Sequence, residues 1–117
     1  SSIIESNDGT MLYEAPHGTA HDLFLKYQAS GGKEAYFNSS ALLYAVANAL
    51  ETLAEREAND ALLHYAGKLK AALIATVDKG VITADLKGKT YHPDQETLVD
   101  MYGFLDAIES NLRPLLA

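Results

Sequence analysis

The most informative absence in this sequence is cysteine, because the chain of 117 residues has none. Disulfides and thiolate metal sites are therefore excluded, and nothing indicates an oxidising compartment. Long apolar runs are also missing. The longest, Ala41 to Ala47, is far shorter than the roughly 18 residues that a membrane-spanning helix requires. We therefore expect a protein of the cytoplasm or of an organelle matrix, with no membrane partner.

Positive charge is scarce. Nine Lys and Arg stand against 16 Asp and Glu, which gives a formal net charge of −7. The basic residues are scattered singly, whereas nucleic-acid backbones are held by clustered Lys and Arg. Nucleic acid is therefore not an expected partner. A hydrophobic content of 48% is too high for a disordered segment and predicts one folded unit.

The common fingerprints of nucleotide binding and hydrolysis are absent too. The glycines form neither G-x-G-x-x-G nor G-x-x-x-x-G-K-[ST], and G-x-S-x-G does not occur. His17 and His21 have the four-residue spacing of a zinc pair, but Gly18 stands between them where a zinc protease has Glu. No third ligand is evident. We predict turn and capping roles for both histidines, and neither a metal site nor catalytic residues in this chain.

The chain does contain two short strand patterns followed by helical ones. Residues 2–6 and 10–15 predict a β-hairpin, because Gly9 between them supplies the positive φ of a tight turn. Polar capping residues and apolar repeats at three and four positions then predict about four helices. We expect these helices to begin near Thr19, at Ser39 or Ser40, at Asn59 or Asp60, and at Pro93, and the last to end at Pro114.

Two of these elements require more partners than the chain offers. The first half of the second helix, residues 41–50, is almost entirely apolar and is predicted to be buried. An isolated hairpin also rarely holds together without a larger sheet. Residues 81–86 are predicted to form a very short strand or a helical turn. The sequence therefore predicts part of a larger fold.

A candidate ligand segment lies between the second strand and the first helix. Gly18 at this turn permits a ligand to approach the backbone, and the free N–H groups of a helix start favour a phosphate. An ordinary capped connection explains the same local pattern.

Glu14-Ala15-Pro16-His17-Gly18-Thr19 resembles the E-A-x-H-G-T cofactor loop of isocitrate dehydrogenases, which are β-decarboxylating 2-hydroxyacid dehydrogenases. Asn38 resembles the Asn that contacts adenine in that family, although Phe37 and Ser39 replace the usual Thr and Pro. Asp85 lies in a segment similar to the family's T-x-D-L stretch. The resemblance extends along essentially the whole chain.

The resemblance implies an α/β fold in which residues 1–117 form the C-terminal, cofactor-binding part, with an N-terminal hairpin and about four helices. It also implies partners: a dinucleotide, a small 2-hydroxy acid and a second copy in a homodimer. The family's substrate-binding residues, its catalytic Tyr and Lys and the aspartates that hold Mg²⁺ or Mn²⁺ are expected upstream of this chain.

The resemblance further implies which residues bind the dinucleotide. Glu14 is expected near the nicotinamide, and Asp22 at the adenosine ribose. NADP-using members carry cations after this loop, whereas Asp22 would accept bonds from the ribose hydroxyls and repel a 2′-phosphate. NAD is therefore the predicted cofactor, although Asp22 at a helix start also has an ordinary electrostatic role. The other predicted contacts are His17, Gly18, Thr19 and Ala20 along adenosine and phosphate, and Asn38 and Asp85 near adenine.

The function predicted from the sequence is thus part of an NAD-dependent isocitrate dehydrogenase, which converts isocitrate to 2-oxoglutarate by oxidative decarboxylation. The chain by itself is predicted to be inactive. Two alternatives are a standalone helical regulatory or interaction module, and a segment of an isopropylmalate or homoisocitrate dehydrogenase.

Overall fold

The computed structural model describes residues 2–15, 21–33 and 37–117. Two strands are followed by four helices, and a short parallel strand pair lies between the third and fourth helices, so the predicted α/β class is confirmed. The elements are β1 (Ser2–Glu5), β2 (Met11–Glu14), α1 (His21–Ala29), α2 (Ser40–Arg56), α3 (Asp60–Asp78), β3 (Val81–Ile82), β4 (Thr97–Leu98) and α4 (Met101–Leu116).

The predicted hairpin is present, and its turn is built from local polar contacts. The Asp8 carboxylate accepts hydrogen bonds from the Ser6 hydroxyl and from the Thr10 N–H. These bonds hold the pKa of Asp8 at about 2, below its ordinary value. Arg56 of α2 donates to the carbonyl of Gly9 at 2.7 Å, and the Tyr13 and Thr52 hydroxyls are hydrogen bonded. The hairpin therefore packs against the C-terminal half of α2.

The hydrophobic core lies where α2, α3 and α4 meet. Phe104 of α4 is fully buried, and Ile108 follows it on the same helical face. Small side chains of α2 and α3 permit the close approach of these helices. The buried core cluster consists of Ala47, Leu69, Ala72, Leu73, Phe104 and Ile108.

The first half of α2 is less buried than the sequence predicted. Ala45 and Ala47 are buried, but Leu42 and Val46 remain 47% and 43% exposed. The prediction of a buried first half is therefore wrong for the described residues. The physical reason is geometric: one face of α2 packs on α3 and the hairpin lies against its C-terminal half, so the outward side chains of the first half, such as Leu42 and Val46, remain exposed.

The connection between α3 and α4 also differs from the prediction. Pro93 starts only a 3-10 turn, and the two residues of β4 then extend beside β3. The Val99 N–H donates to the Ile82 carbonyl at 2.9 Å, which prolongs this pairing. Asp100 then caps α4 by accepting from the Gly103 N–H at 2.8 Å. Strand pairing therefore delays the last helix from Pro93 to Met101. Residues 81–86 adopt both predicted forms, since β3 is followed by a 3-10 turn at Ala84–Leu86.

The end of the last helix was also predicted too early. Pro114 lies inside α4, which continues to Leu116. Proline removes one hydrogen bond and restricts the residue before it, but the cost is smaller in a terminal turn. Leu112 and Leu115 pack against the core on either side of Pro114, and this packing stabilises the additional turn.

Candidate functional site

A broad open cavity of about 840 Å³ lies between α1, the 3-10 turn after β3 and the segment that leads into α4. Its position follows from the β3–β4 pairing, which brings residue 85 and residues 98–100 to one side of the core. Helix α1 forms the opposite wall. The described residues that line the cavity are Leu23, Lys26, Ala84, Asp85, Leu98, Val99 and Asp100.

One wall of the cavity is held by a polar network around Asp85. The Asn38 side chain donates from Nδ2 to Asp85 Oδ2 at 2.8 Å, although the two residues are 47 positions apart. The Thr83 hydroxyl donates to Asp85 Oδ1. These bonds fix the carboxylate at the cavity wall, and they bring together the two residues predicted near adenine.

Asn38 also organises the start of α2. Its Oδ1 accepts from the Ser40 N–H at 3.0 Å, while the Ser39 side chain at the predicted cap makes no capping bond. The Ser39 hydroxyl is buried and has no hydrogen-bond partner in the described part of the structure. Asn38 therefore takes the capping role that the sequence assigned to Ser39 or Ser40.

The network retains capacity for a ligand. An amide side chain has two N–H donors and two acceptor lone pairs, so Asn38 keeps one of each after its two bonds. Each oxygen of Asp85 likewise keeps a lone pair. Of this pair, Asp85 lines the cavity and Asn38 holds it in place. The wall therefore offers carboxylate acceptors to a heterocycle with hydrogen-bond donors on its edge.

The other surfaces of the cavity are largely apolar. Leu23 comes from α1, whereas Leu98 and Val99 come from β4 and the residue after it. Ligand sites typically have volumes of about 300–1,000 Å³ and combine apolar walls with a few placed polar groups. The residues present therefore fit the nucleoside half of a dinucleotide.

The predicted site residues on α1 and β2 have different surroundings. Asp22 lies in the first turn of α1 and is exposed, and its neighbour Leu23 lines the same cavity as Asp85. Glu14 is exposed at the end of β2 and is not among the cavity-lining residues. The remaining predicted contacts, His17, Gly18, Thr19 and Ala20, lie outside the described residues.

Several cavity residues were missed by the sequence reasoning. Lys26 follows Leu23 by three positions, and this helical spacing was a usable signal for it. Leu98 and Asp100 carried no such signal, because residues 93–100 were assigned to a helix. Their role at the cavity depends on a two-residue strand that the sequence pattern does not reveal.

Among the described residues, two carboxyl groups have clearly lowered pKa values, and both lie in turns and not at the cavity. Asp8 serves the hairpin turn, and Glu96 accepts bonds from the Gly88 N–H and the Thr90 hydroxyl, which lower its pKa. Within residues 2–15, 21–33 and 37–117, no group of three or more His, Cys, Asp or Glu side chains is arranged to hold a metal ion. None of the helices described there is long and apolar enough to span a membrane.

Comparisons with known proteins agree with this fold. The sequence model for isocitrate/isopropylmalate dehydrogenase matches residues 1–108. The NADP isocitrate dehydrogenase 1 of Mycobacterium bovis is 35% identical over 118 residues, covering 100% of this chain and 28% of the relative. The mitochondrial NADP isocitrate dehydrogenase of Saccharomyces cerevisiae is 34% identical over 115 residues, covering 97% and 26%. The chloroplastic/mitochondrial NADP enzyme of Arabidopsis thaliana is 32% identical over 116 residues, covering 97% and 24%.

Fold and cavity together define part of an α/β protein with room for a nucleoside. The chain belongs to the isocitrate/isopropylmalate dehydrogenase family, as the resemblance of its cofactor loop predicted. It spans about a quarter of the length of the curated relatives that it matches.

Proposed function

We propose that this chain is the adenosine-binding, C-terminal part of an NAD-dependent isocitrate dehydrogenase. The observation that carries the proposal is the hydrogen bond between Asn38 and Asp85 at the wall of a nucleoside-sized cavity. Family membership supports oxidoreductase chemistry, and the names of the relatives specify isocitrate as their substrate. Those names also specify NADP. The NAD preference that we propose for this chain therefore differs from the cofactor of these relatives, and we attribute the difference to Asp22.

Asp22 supports this departure through its charge. Its carboxylate is exposed in the first turn of α1, next to a residue that lines the cavity. A carboxylate accepts hydrogen bonds from two ribose hydroxyls but repels a phosphate in the same place. The ribose 2′ position of the bound cofactor therefore tolerates a hydroxyl better than a phosphate.

The residues of this chain act by binding and orientation. Asn38 and Asp85 hold the base, the apolar wall around Leu23 and Leu98 excludes water from one side of it, and Asp22 fixes the ribose. Glu14 and the segment 17–20 are proposed to continue the site toward the nicotinamide. When bound, the dinucleotide supplies the hydride acceptor for a 2-hydroxy acid. The groups that act on the substrate, and those that bind Mg²⁺ or Mn²⁺, are proposed to lie in the remainder of the polypeptide.

Cofactor titration of the complete polypeptide, with isocitrate and Mg²⁺ present, tests the proposal. We expect kcat/KM to be higher with NAD than with NADP, and Asp22→Arg to shift that ratio toward NADP by about tenfold or more, since a repulsive charge becomes an attractive one. Asp60→Arg is the matched control, because Asp60 is an exposed acidic residue in the first turn of α3. A ratio that Asp22→Arg leaves unchanged contradicts the assignment of Asp22.

The remaining parts of the proposal are tested by other measurements. The substrate, the homodimer and a location in the cytoplasm or an organelle matrix are parts of it that need separate checks. Turnover of isopropylmalate or homoisocitrate in place of isocitrate would identify a related dehydrogenase. A standalone interaction module, suggested by the exposed apolar side chains of α1 and α2, predicts that neither dinucleotide binds.

A further inference from the structure

The turn of the hairpin contains the single Asp-Gly pair in the sequence, Asp8-Gly9. In such a pair the backbone nitrogen of the glycine can attack the side-chain carboxyl group of the aspartate, because glycine has no Cβ that obstructs the approach. Asp8 is exposed, and Gly9 follows it with a φ of 85° between β1 and β2. The turn therefore holds an aspartate whose neighbour favours this attack and which water can reach.

The reaction of this pair needs no oxidant and no second substrate, since the water released in one step is consumed in the next. The Gly9 nitrogen forms a bond with Asp8 Cγ. The amide proton and the hydroxyl group of the carboxyl leave as water, which closes a five-membered succinimide ring. Water then adds to the main-chain carbonyl carbon of Asp8, and the bond from that carbon to nitrogen breaks. The product is isoaspartate, in which the main chain runs through Cγ and the former carbonyl is a free carboxylate.

In the folded turn, both reacting groups form hydrogen bonds with other partners. The Gly9 N–H donates to the Ser6 carbonyl at 3.0 Å. Asp8 Oδ1 accepts from the Ser6 hydroxyl and, at 3.0 Å, from the Thr10 N–H. Ring closure removes the Gly9 N–H proton and draws the Asp8 carboxyl group out of these bonds. The turn geometry therefore opposes the reaction that its sequence favours.

Ser6 is common to these contacts. Its carbonyl accepts from the Gly9 N–H, its hydroxyl donates to the Asp8 carboxylate, and its own N–H donates to the Thr10 carbonyl at 2.9 Å. The bonds to Asp8 also lower the pKa of this carboxyl to about 2, so the carboxylic acid, from which water can leave, is scarce at neutral pH. One hydroxyl group therefore affects both the position and the ionisation of the reactive side chain.

We propose that Asp8 is a site of spontaneous isoaspartate formation, and that the Ser6 hydroxyl slows this reaction in the folded protein. The modification adds one carbon to the main chain at the turn, so the Gly9 carbonyl moves from its position beside Arg56, which now donates to it at 2.7 Å. The hairpin then loses a hydrogen bond to α2. The reaction involves only this turn and does not depend on the proposed function.

Incubation of the complete polypeptide at neutral pH, with and without urea, tests the proposal. After digestion, the two isomeric peptides that contain residue 8 are separated by chromatography, and isoaspartate is identified by enzymatic methylation of its free carboxylate. We expect the folded protein to react at least about tenfold more slowly than the protein in urea, because several hydrogen bonds of the turn must break.

Substitutions of Ser6 then isolate its hydroxyl. Without urea, Ser6→Ala is expected to form isoaspartate at Asp8 about threefold to tenfold faster than the unsubstituted protein, since one bond to the carboxylate is lost. Ser6→Thr is expected to react at the unsubstituted rate, because it keeps a hydroxyl group at the same position.

Ser30→Ala is the matched control, since the Ser30 hydroxyl also donates within a turn, to the Tyr27 carbonyl at 2.9 Å. It should change the rate at Asp8 by less than about twofold. Acceleration by Ser6→Ala no larger than that by Ser30→Ala, or equal acceleration by Ser6→Thr, overturns the role of the Ser6 hydroxyl. Equal rates with and without urea overturn the protection by the turn, and absence of isoaspartate at Asp8 even in urea overturns the site itself.

Discussion

The three long helices bury much more of their surface than the N-terminal margin of this chain, by which we mean the hairpin and α1. Helices α2, α3 and α4 enclose Phe104 completely, whereas α1 buries no residue and leaves Phe24 54% exposed. The radius of gyration, 16.1 Å, also exceeds the roughly 13–14 Å of a compact domain of this length. The interior around Phe104 is thus closed, although the outer faces of α2 and α3 also expose apolar side chains such as Leu42 and Ile74, and the candidate site lies at the margin.

This difference indicates how the chain is organised. The cavity is formed where α1 faces residues 84–85 and 98–100, which lie beside the buried core. The apolar side chains left exposed on α1 and on the hairpin are suited to packing against other structure. Stability is therefore expected to reside in the core, while ligand binding depends on the margin.

The largest expected effect is a stability contrast between two phenylalanines. Phe104→Ala removes a fully buried ring and is expected to lower the free energy of unfolding by about 3–5 kcal/mol. Phe24→Ala, on the exposed side of α1, is expected to change it by less than about 0.5 kcal/mol. Urea unfolding of the chain measures both. Similar losses from the two substitutions would break the distinction between core and margin.

The same pair of variants, made in the complete enzyme proposed above, sharpens the comparison. If additional structure covers α1 there, Phe24→Ala should lower the free energy of unfolding by more than about 1.5 kcal/mol, because the substitution then removes a buried aromatic ring. If Phe24→Ala again changes the free energy of unfolding by less than about 0.5 kcal/mol, α1 is not covered by other structure.

A smaller contrast is expected between two glycines with positive φ. A Cβ on Gly80 would lie 2.6 Å from the Gln95 carbonyl oxygen, whereas a Cβ on Gly9 would meet nothing within 4 Å. Gly9→Ala in the hairpin should therefore lower the free energy of unfolding only by the backbone strain, which is about 1–2 kcal/mol. Gly80→Ala should cost more than Gly9→Ala, because the connection between β3 and β4 must also shift. Thermal unfolding of both variants compares them, and a smaller loss for Gly80→Ala would contradict the close packing at this point.

The smallest expected effect is a pH response confined to the hairpin. Because the pKa of Asp8 is lowered to about 2 from 3.8, its hydrogen bonds stabilise the turn fully above pH 3.8. This contribution is lost as the pH falls through about 2, where the folded-state carboxylate is protonated. NMR titration should show the Thr10 amide shifting with a midpoint near the lower value. Asp8→Asn should abolish this titration, and a midpoint near 3.8 in the unsubstituted chain would contradict the turn contacts.

Local patterns predicted a large part of the fold. The hairpin followed from a Gly-containing turn between two β-rich runs, and Asn59 caps α3 by accepting from the Leu62 N–H, as its position before an apolar repeat indicated. Errors arose where distant residues compete with local ones. Pro93 is a normal helix start, but pairing of Thr97 and Leu98 with β3 displaces the helix.

The candidate site shows the same division. Asn38 and Asp85 were predicted separately, each on the resemblance of its own short segment, and the structure brings them into one hydrogen bond. Lys26 and Val99 were not predicted: the spacing from Leu23 places Lys26 on the same helical face, but it does not show that this face lines a cavity. Their roles depend on which elements lie opposite them.

The sequence by itself determined the class of fold, the hairpin and the family of the chain, because turn residues, apolar periodicity and a short cofactor-loop motif are local properties. Only the tertiary structure decided which apolar faces are buried, where the last helix begins, and that Lys26 shares a cavity with Asp85. Those features depend on contacts between residues far apart in the chain, and hydrophobic burial and strand pairing select these contacts only when the whole chain packs.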